Sequence, residues 1–275
     1  MAKIYTKNTW VDEILGGNER YDILENDGAA FKATMQIALS TAVTQAGTLA
    51  DATKMNNIEN GVDAIDTRLN ALLTGWIDPG ETWTYASATT FTISGDKTGT
   101  YSVGDKLKLT QTTVKYFYIT AVSYGAPNTT VTVTGGSDYT LANAAITANY
   151  YSKAATPAGF PQWLNYTAVV TPGAGAITSY TTPAARFLIV GKDLHLMVRI
   201  TITNNGTGSG DVRCTVPITP YNNFLGGINR EDAVAGFCFG AFYLNSTQMM
   251  LTKLDASYPG GTNYSLPVSL WYSIA

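Results

Sequence analysis

His195 is the single histidine of the chain, so any histidine-based triad or Cys/His zinc site would have to be built on it. It lies in LHLMVRIT, where period-two alternation sets it apart from Leu194, Leu196 and Val198, on the face carrying Met197 and Arg199. That is the place of a solvent-facing or interface strand residue rather than a general base. In a symmetric trimer three copies of His195 could also meet on the axis around a metal. GTGSG at 206–210 has the glycines of a phosphate-cradling loop but opens no helix, so the flexibility of a hairpin loop accounts for it. Arg230, Glu231 and Asp232 place a cation beside two carboxylates, the groups a polar-ligand site or a glycosidase would use. Neighbours on a strand point to opposite faces, so a salt bridge or a loop anchor fits them better. Cys214 in DVRCTV and Cys238 in GFCFGAF each sit in an apolar run and read as two buried thiols, with a disulfide between them left open.

The aromatic residues are the richer source of binding chemistry, since a ring can stack on a sugar while its polar tip hydrogen-bonds. Tyr85, Tyr116, Tyr118, Tyr150, Tyr151, Trp163, Tyr264, Trp271 and Tyr272 fall mostly in strand patterns and belong to core or intersubunit contacts. Tyr221 in ITPYNNF and Tyr258 in ASYPGG lie in turn-rich stretches, where recognition residues concentrate, and are the candidate receptor contacts. No catalytic residue, metal ligand or cofactor site is expected.

The elements that position these residues follow from composition and period. A chain of 275 residues with 45% hydrophobic content can bury a sizeable core, and its 13% charged residues fall well below the roughly 25% of an ordinary soluble domain. Thr, Gly, Asn and 17 Tyr take the polar surface, the palette of a mainly β protein. The net charge of −3 supplies no basic field, which argues against nucleic acid as a partner. No run of 18 apolar residues and no signal-peptide core is present, so neither membrane insertion nor secretion is expected, and synthesis is in the cytosol.

Residues 1–50 hold FKATMQIALSTAV, whose alternation predicts a strand, with a helix as the competing reading. Over 51–75 the period changes: Asp51 has the side chain of an N-cap, and Met55, Ile58, Val62, Ile65, Leu69 and Leu72 recur at three- and four-residue gaps. With Met55, Val62 and Leu69 at a and Ile58, Ile65 and Leu72 at d, Ile at d disfavours a parallel dimer and favours trimers or tetramers. The stripe is narrower than that of a helix packed on its own core, so it predicts a self-associating coiled-coil stalk. From 76 to 152 short alternating runs bounded by SGD, YGAPN and GGSD predict a small antiparallel barrel or sandwich. Residues 153–162, SKAATPAGFP, read as a linker. Residues 163–275 give about eight more strands, with NNGTGSG as a long hairpin loop, and suit a jelly-roll-like sandwich.

The order of these parts resembles the fibre and spike proteins of tailed bacteriophages. GTLADATKMNNIENGV, residues 47–62, is similar to the segment that enters the stalk of many tail and baseplate proteins, with Leu49 where those often carry Pro. SGDKTGTYSVGDKLKLTQTTVKYFYITAVSY, residues 94–124, resembles a β module recurrent in tail proteins. ARFLIVGKDLHLMVRITITNNGTGSGDVRCTVPITP followed by REDAVAG is similar to the C-terminal domain of many phage fibres. The resemblance implies a non-enzymatic homotrimer on the virion surface, made in the host cytoplasm. It would be docked to other virion proteins through residues 1–50 and touch a host surface glycan or protein with its distal domain. A head fibre or capsid decoration protein would use the same parts, and a polysaccharide depolymerase is the alternative of another class.

Overall fold

The helical and period-two stretches of the sequence separate cleanly in the computed structural model, which describes residues 52–275 and is mainly β. The expected attachment region and the strand over FKATMQIALSTAV lie outside the described residues, as does the Asp51 cap. Two compact units, 1–70 and 71–275, divide the chain, and their boundary falls inside helix α1 (Ala52–Thr74). Straight-chain and small residues sustain the helix despite Gly61. It ends at Gly75, whose N–H donates to the Ala71 carbonyl at 2.7 Å. No helix among the described residues is long and apolar enough to cross a membrane.

The first β module is one antiparallel sheet of β1 (Trp83–Ser87), β2 (Thr90–Ser94), β3 (Lys106–Gln111), β4 (Thr113–Gly125), β5 (Asn128–Thr134) and β6 (Thr147–Ser152), in the order β1-β2-β5-β4-β3-β6. Alternation drives Phe91, Ile93, Leu107, Leu109, Val131 and Val133 onto one buried face and leaves Thr on the other. The sheet curls into a half-barrel: Ile77, just ahead of β1, exchanges both backbone hydrogen bonds with Tyr151 of β6, at 2.9 and 3.1 Å. The buried Gln111 amide fastens the loop beneath the sheet, donating to the carbonyls of Ala142 and Ala144 and accepting from the Ala142 N–H at 2.9 Å.

The second module has two antiparallel sheets around one apolar core. One, in the order β15-β10-β9-β7, holds β7 (Leu164–Asn165), β9 (Ser179–Val190), β10 (Asp193–Asn204) and β15 (Tyr264–Ser273). The other, in the order β12-β13-β14-β11-β8, holds β8 (Val170–Ala174), β11 (Ser209–Thr215), β12 (Gly226–Arg230), β13 (Cys238–Asn245) and β14 (Gln248–Lys253). Phe187, Leu196 and Ile200 of the first meet Val212, Phe239 and Leu251 of the second in that core.

Three readings of the sequence change here. NNGTGSG is not a hairpin loop: it carries the chain from β10 to β11 in the other sheet, because β10 takes its partners from β9 and β15. AITSY (176–180) and ARFLIV (185–190), which read as two separate strands, share one: β9 takes in Ser179 and Tyr180 of the first and all of the second. Cys214 and Cys238 are both free thiols, but only Cys214 is buried, which pushes its pKa up to about 12; Cys238 is exposed. Phe239 takes the core-facing position of β13, and alternation turns its neighbour Cys238 outward.

Residues 153–162 fill the joint between the two modules. Phe160 stands edge-on to the rings of Tyr118 and Tyr116, with centroids 4.9 and 5.7 Å away, and Tyr118 in turn lies 6.3 Å from Phe187 of the second module. The Tyr118 hydroxyl reaches the backbone of Ile189. Lys106, almost fully buried, sets its ammonium 5.5 Å over the Tyr118 ring; burial lowers its pKa and the neighbouring Asp105 charge partly restores it. Backbones also touch directly. At Gly104, φ is +89°, and a Cβ would overlap the Gly191 carbonyl oxygen of the second module; Gly136 meets the Asn165 carbonyl in the same way. Asp138 closes the joint by accepting from both the backbone N–H and the side-chain amide of Asn165, at 2.8 and 2.9 Å.

Candidate functional site

The apolar seam of α1 is laid bare. Ile58, Ile65 and Leu72 are 59%, 65% and 81% exposed; Val62 and Leu69 are exposed as well, and Met55 is half-buried. Along the stripe that flanks this seam, one residue on from its members, Asn56, Glu59, Asp63 and Asn70 are half-buried and Asp66 is buried. A polar stripe is thus covered while the apolar one beside it is bare, the reverse of an amphipathic helix laid on its own core.

Of the two loop tyrosines, Tyr221 is exposed in a short 3₁₀ turn, Tyr221–Asn223, beside the exposed Phe224. Tyr258 is not exposed in the way its turn-rich surroundings suggest. It is half-buried against the second core, its hydroxyl donates to Asn205 Oδ1 at 2.7 Å, and its ring lies over Gly260. Those contacts brace the glycine-rich loops 173–177, 204–210 and 259–263, where Thr207 N–H donates to the Ala176 carbonyl and Asn263 N–H to that of Ile202.

Arg230, Glu231 and Asp232 separate by role. Glu231 is fully buried, and its two carboxylate oxygens accept the backbone N–H groups of Ala233, Val234, Ala235, Gly236 and Ser265 at 2.7–3.1 Å. Burial pushes its pKa up, but the hydrogen bonds from Ser265, Gly236, Ala233 and Ala235 outweigh that and hold it at about 2. Asp232 pairs with Arg199 at 2.7 Å; its bond to the Ser265 side chain, then Arg199, keeps its pKa low. Arg230 donates Nε to the Gly236 carbonyl at 3.0 Å. This is a loop anchor, with no pair of free carboxylates.

The outer face of the β15-β10-β9-β7 sheet concentrates the chemistry. His195 lies across from Trp271 in the register of β10 and β15, and their rings stack at 4.5 Å with 13° between planes. Trp163, brought in ahead of β7, lies 5.2 Å from the other side of His195, and the Arg186 guanidinium sits 4.8 Å over the Trp163 ring. His195 Nε2 and Ser269 Oγ are 2.9 Å apart. Partial burial lowers the histidine pKa, so the ring is neutral at pH 7. The Ser269 N–H is occupied by Asn229 Oδ1 at 3.0 Å, and among the described residues no carboxylate orients the His195 ring. The pair is therefore built for stacking rather than for nucleophilic attack.

Next to this row, a pocket of about 240 Å³ opens between β10, β12 and β15. Ala184, Met197 and Pro267 contribute apolar surface, and Arg199, Asn229, Arg230 and Ser269 contribute polar groups. No cluster of His, Cys, Asp and Glu among the described residues is arranged to hold a metal.

Comparison of the chain with protein-family models, with curated proteins and with solved structures matches nothing.

The sequence groups Trp163 and Trp271 with aromatics of which most are expected in core or intersubunit contacts, and singles out the loop tyrosines for recognition. The structure puts Trp271 at 52% exposure on a sheet face. Its alternation with the buried Leu270 and Tyr272 was the available signal.

Proposed function

We propose that this chain is a homotrimeric virion fibre protein of a tailed bacteriophage, joined through α1 and presenting its second β module to the host surface. The observation that carries the reading is the bare seam of α1. Each Ile, Val or Leu side chain withdrawn from water contributes about 1.5–3 kcal/mol, so five exposed residues on one stripe favour association strongly. Parallel copies of the same helix present the same stripe at the same height, and Ile58 and Ile65 at d positions suit three strands better than two. In this reading α1 forms a short parallel coiled coil, the first module is barrel-like and the second a jelly-roll-like sandwich. Residues 1–50 dock to other virion proteins, and three linked sites raise avidity by on the order of 10² or more over a single weak contact. The phage setting rests on the sequence resemblance over residues 47–62 and 94–124 and in the C-terminal module.

Sedimentation equilibrium of the full chain tests it. A trimer is expected, and replacing both Ile58 and Ile65 by Asn is expected to yield monomers with the β modules still folded. A wild-type monomer at all concentrations would remove the proposal. A head fibre or capsid decoration protein would share the same trimer, and labelling the protein on intact particles separates tail from head.

A further inference from the structure

The polar groups on the outer face of the β15-β10-β9-β7 sheet and on β12, which packs beside β15, are unbalanced in one direction. Arg186 Nε and Asn229 Nδ2 are buried without a hydrogen-bond partner, and both are donors. Buried polar groups in folded proteins are almost always paired, so orphan donors on β9 and on the neighbouring β12 call for an acceptor-rich guest. Arg186 has no carboxylate partner among the described residues; its only polar contact there is a weak one from Nη2 to Met197 Sδ at 3.9 Å. Arg230 commits Nε to the Gly236 carbonyl, and its terminal nitrogens, with Nη2 packed against Gly236, make no hydrogen bond among the described residues. Arg199 is already neutralised by Asp232. In a chain of net charge −3, Arg230, which lines the pocket, and Arg186, the register partner of its lining residue Met197, carry no counter-charge among the described residues and favour an anion.

The apolar half of the face fits a ring. Trp271 has one side covered by His195, and where β12 passes β15 it does so with Gly227 against Leu270, offering no side chain to cover the indole from that strand. At about 240 Å³ the pocket is smaller than the roughly 300–1,000 Å³ of drug-sized sites, which limits it to a single ring.

We propose that this face binds a pyranose bearing a carboxylate, with Trp271 against the ring and Asn229, Arg186 and Arg230 on its oxygens. The inference rests on the fibre reading for its biological setting, giving the host-surface ligand a chemical class, but the site itself stands on the geometry.

Calorimetric titration of the full chain at pH 7 with glucuronic acid, and with glucose at matched ionic strength, tests it. Glucuronic acid is expected to give a saturable change, with glucose at least about tenfold weaker, as a charge-assisted hydrogen bond warrants. Trp271→Ala is expected to abolish the response, with Trp271→Phe retaining part of it. Arg230→Gln is expected to weaken glucuronic acid about tenfold and leave glucose unchanged. Absence of a saturable change, equal affinity for the two sugars, or a response undiminished in Trp271→Ala would overturn the site. So would shielding of Trp271 from acrylamide in the sugar-free protein, read as the quenching lost on Trp271→Phe, since a second copy would then cover it. A monomer that binds glucuronic acid keeps the site and removes the fibre; a trimer that ignores it does the reverse.

Discussion

The Glu231 loop and the outer sheet face beside it treat buried polar groups in opposite ways. Glu231 is an acceptor surrounded by backbone donors, every one within hydrogen-bond distance. Arg186 Nε and Asn229 Nδ2 are donors with nothing to meet them. Both regions look polar and chemically busy, yet one is closed on itself and the other is open. The difference teaches that saturation, more than the presence of charged residues, separates a group that holds a fold together from one available to a ligand.

Removing the saturated group should break the molecule most. Glu231→Gln replaces an acceptor by an amide that must turn a donor toward backbone donors, stranding several N–H groups at about 1–3 kcal/mol each. A loss on the order of 3–5 kcal/mol is expected, read as a fall in melting temperature of roughly 10 °C or more. If Glu231→Gln melts with the wild type, the anchor has been misjudged.

Acid should reach the same anchor without mutation. The Glu231 pKa lies at about 2 in the fold against an ordinary 4.5, so its stabilisation is fully present above about pH 4.5 and is lost as pH falls toward 2. Melting temperatures between pH 5 and 2 should drop more steeply in the wild type than in Glu231→Gln, which has no such carboxylate to protonate. Parallel curves would contradict this.

The open region should respond least. Arg186→Met keeps the stem that packs near Met197 and discards an orphan donor, so stability should stay within about 1 kcal/mol of wild type, in either direction. A large destabilisation in thermal melts would show that the guanidinium is structural and erase the contrast with Glu231.

Much of the architecture is legible in the sequence. Runs such as TFTIS and KLKLTQ became β2 and β3 because alternation alone decides which side of a strand faces a core. The heptad segment likewise became α1. What stayed hidden depends on partners distant in sequence. β12 carries GGINR, where paired glycines erase the period-two signal, so it was invisible until β13 lay beside it. Cys238 reads as apolar and inward until Phe239 claims the core position. The Trp163–His195–Trp271 row comes from separate strands and a preceding loop, and only the register between β10 and β15 brings it into line. An unmet hydrogen bond cannot be seen from sequence at all, since it is a property of what is missing around a group.

The contact at Gly104 and Gly191 has a bearing on how such a chain could be recombined. With no room for even a methyl group where one module presses on the other, each half carries a mould of its neighbour. A chimera cut near residue 153 would inherit a mismatched mould, whereas a splice ahead of Trp76 would transplant both halves together. The β portion of the chain is in that sense a cassette of two inseparable pieces, exchangeable whole and resistant to piecemeal shuffling.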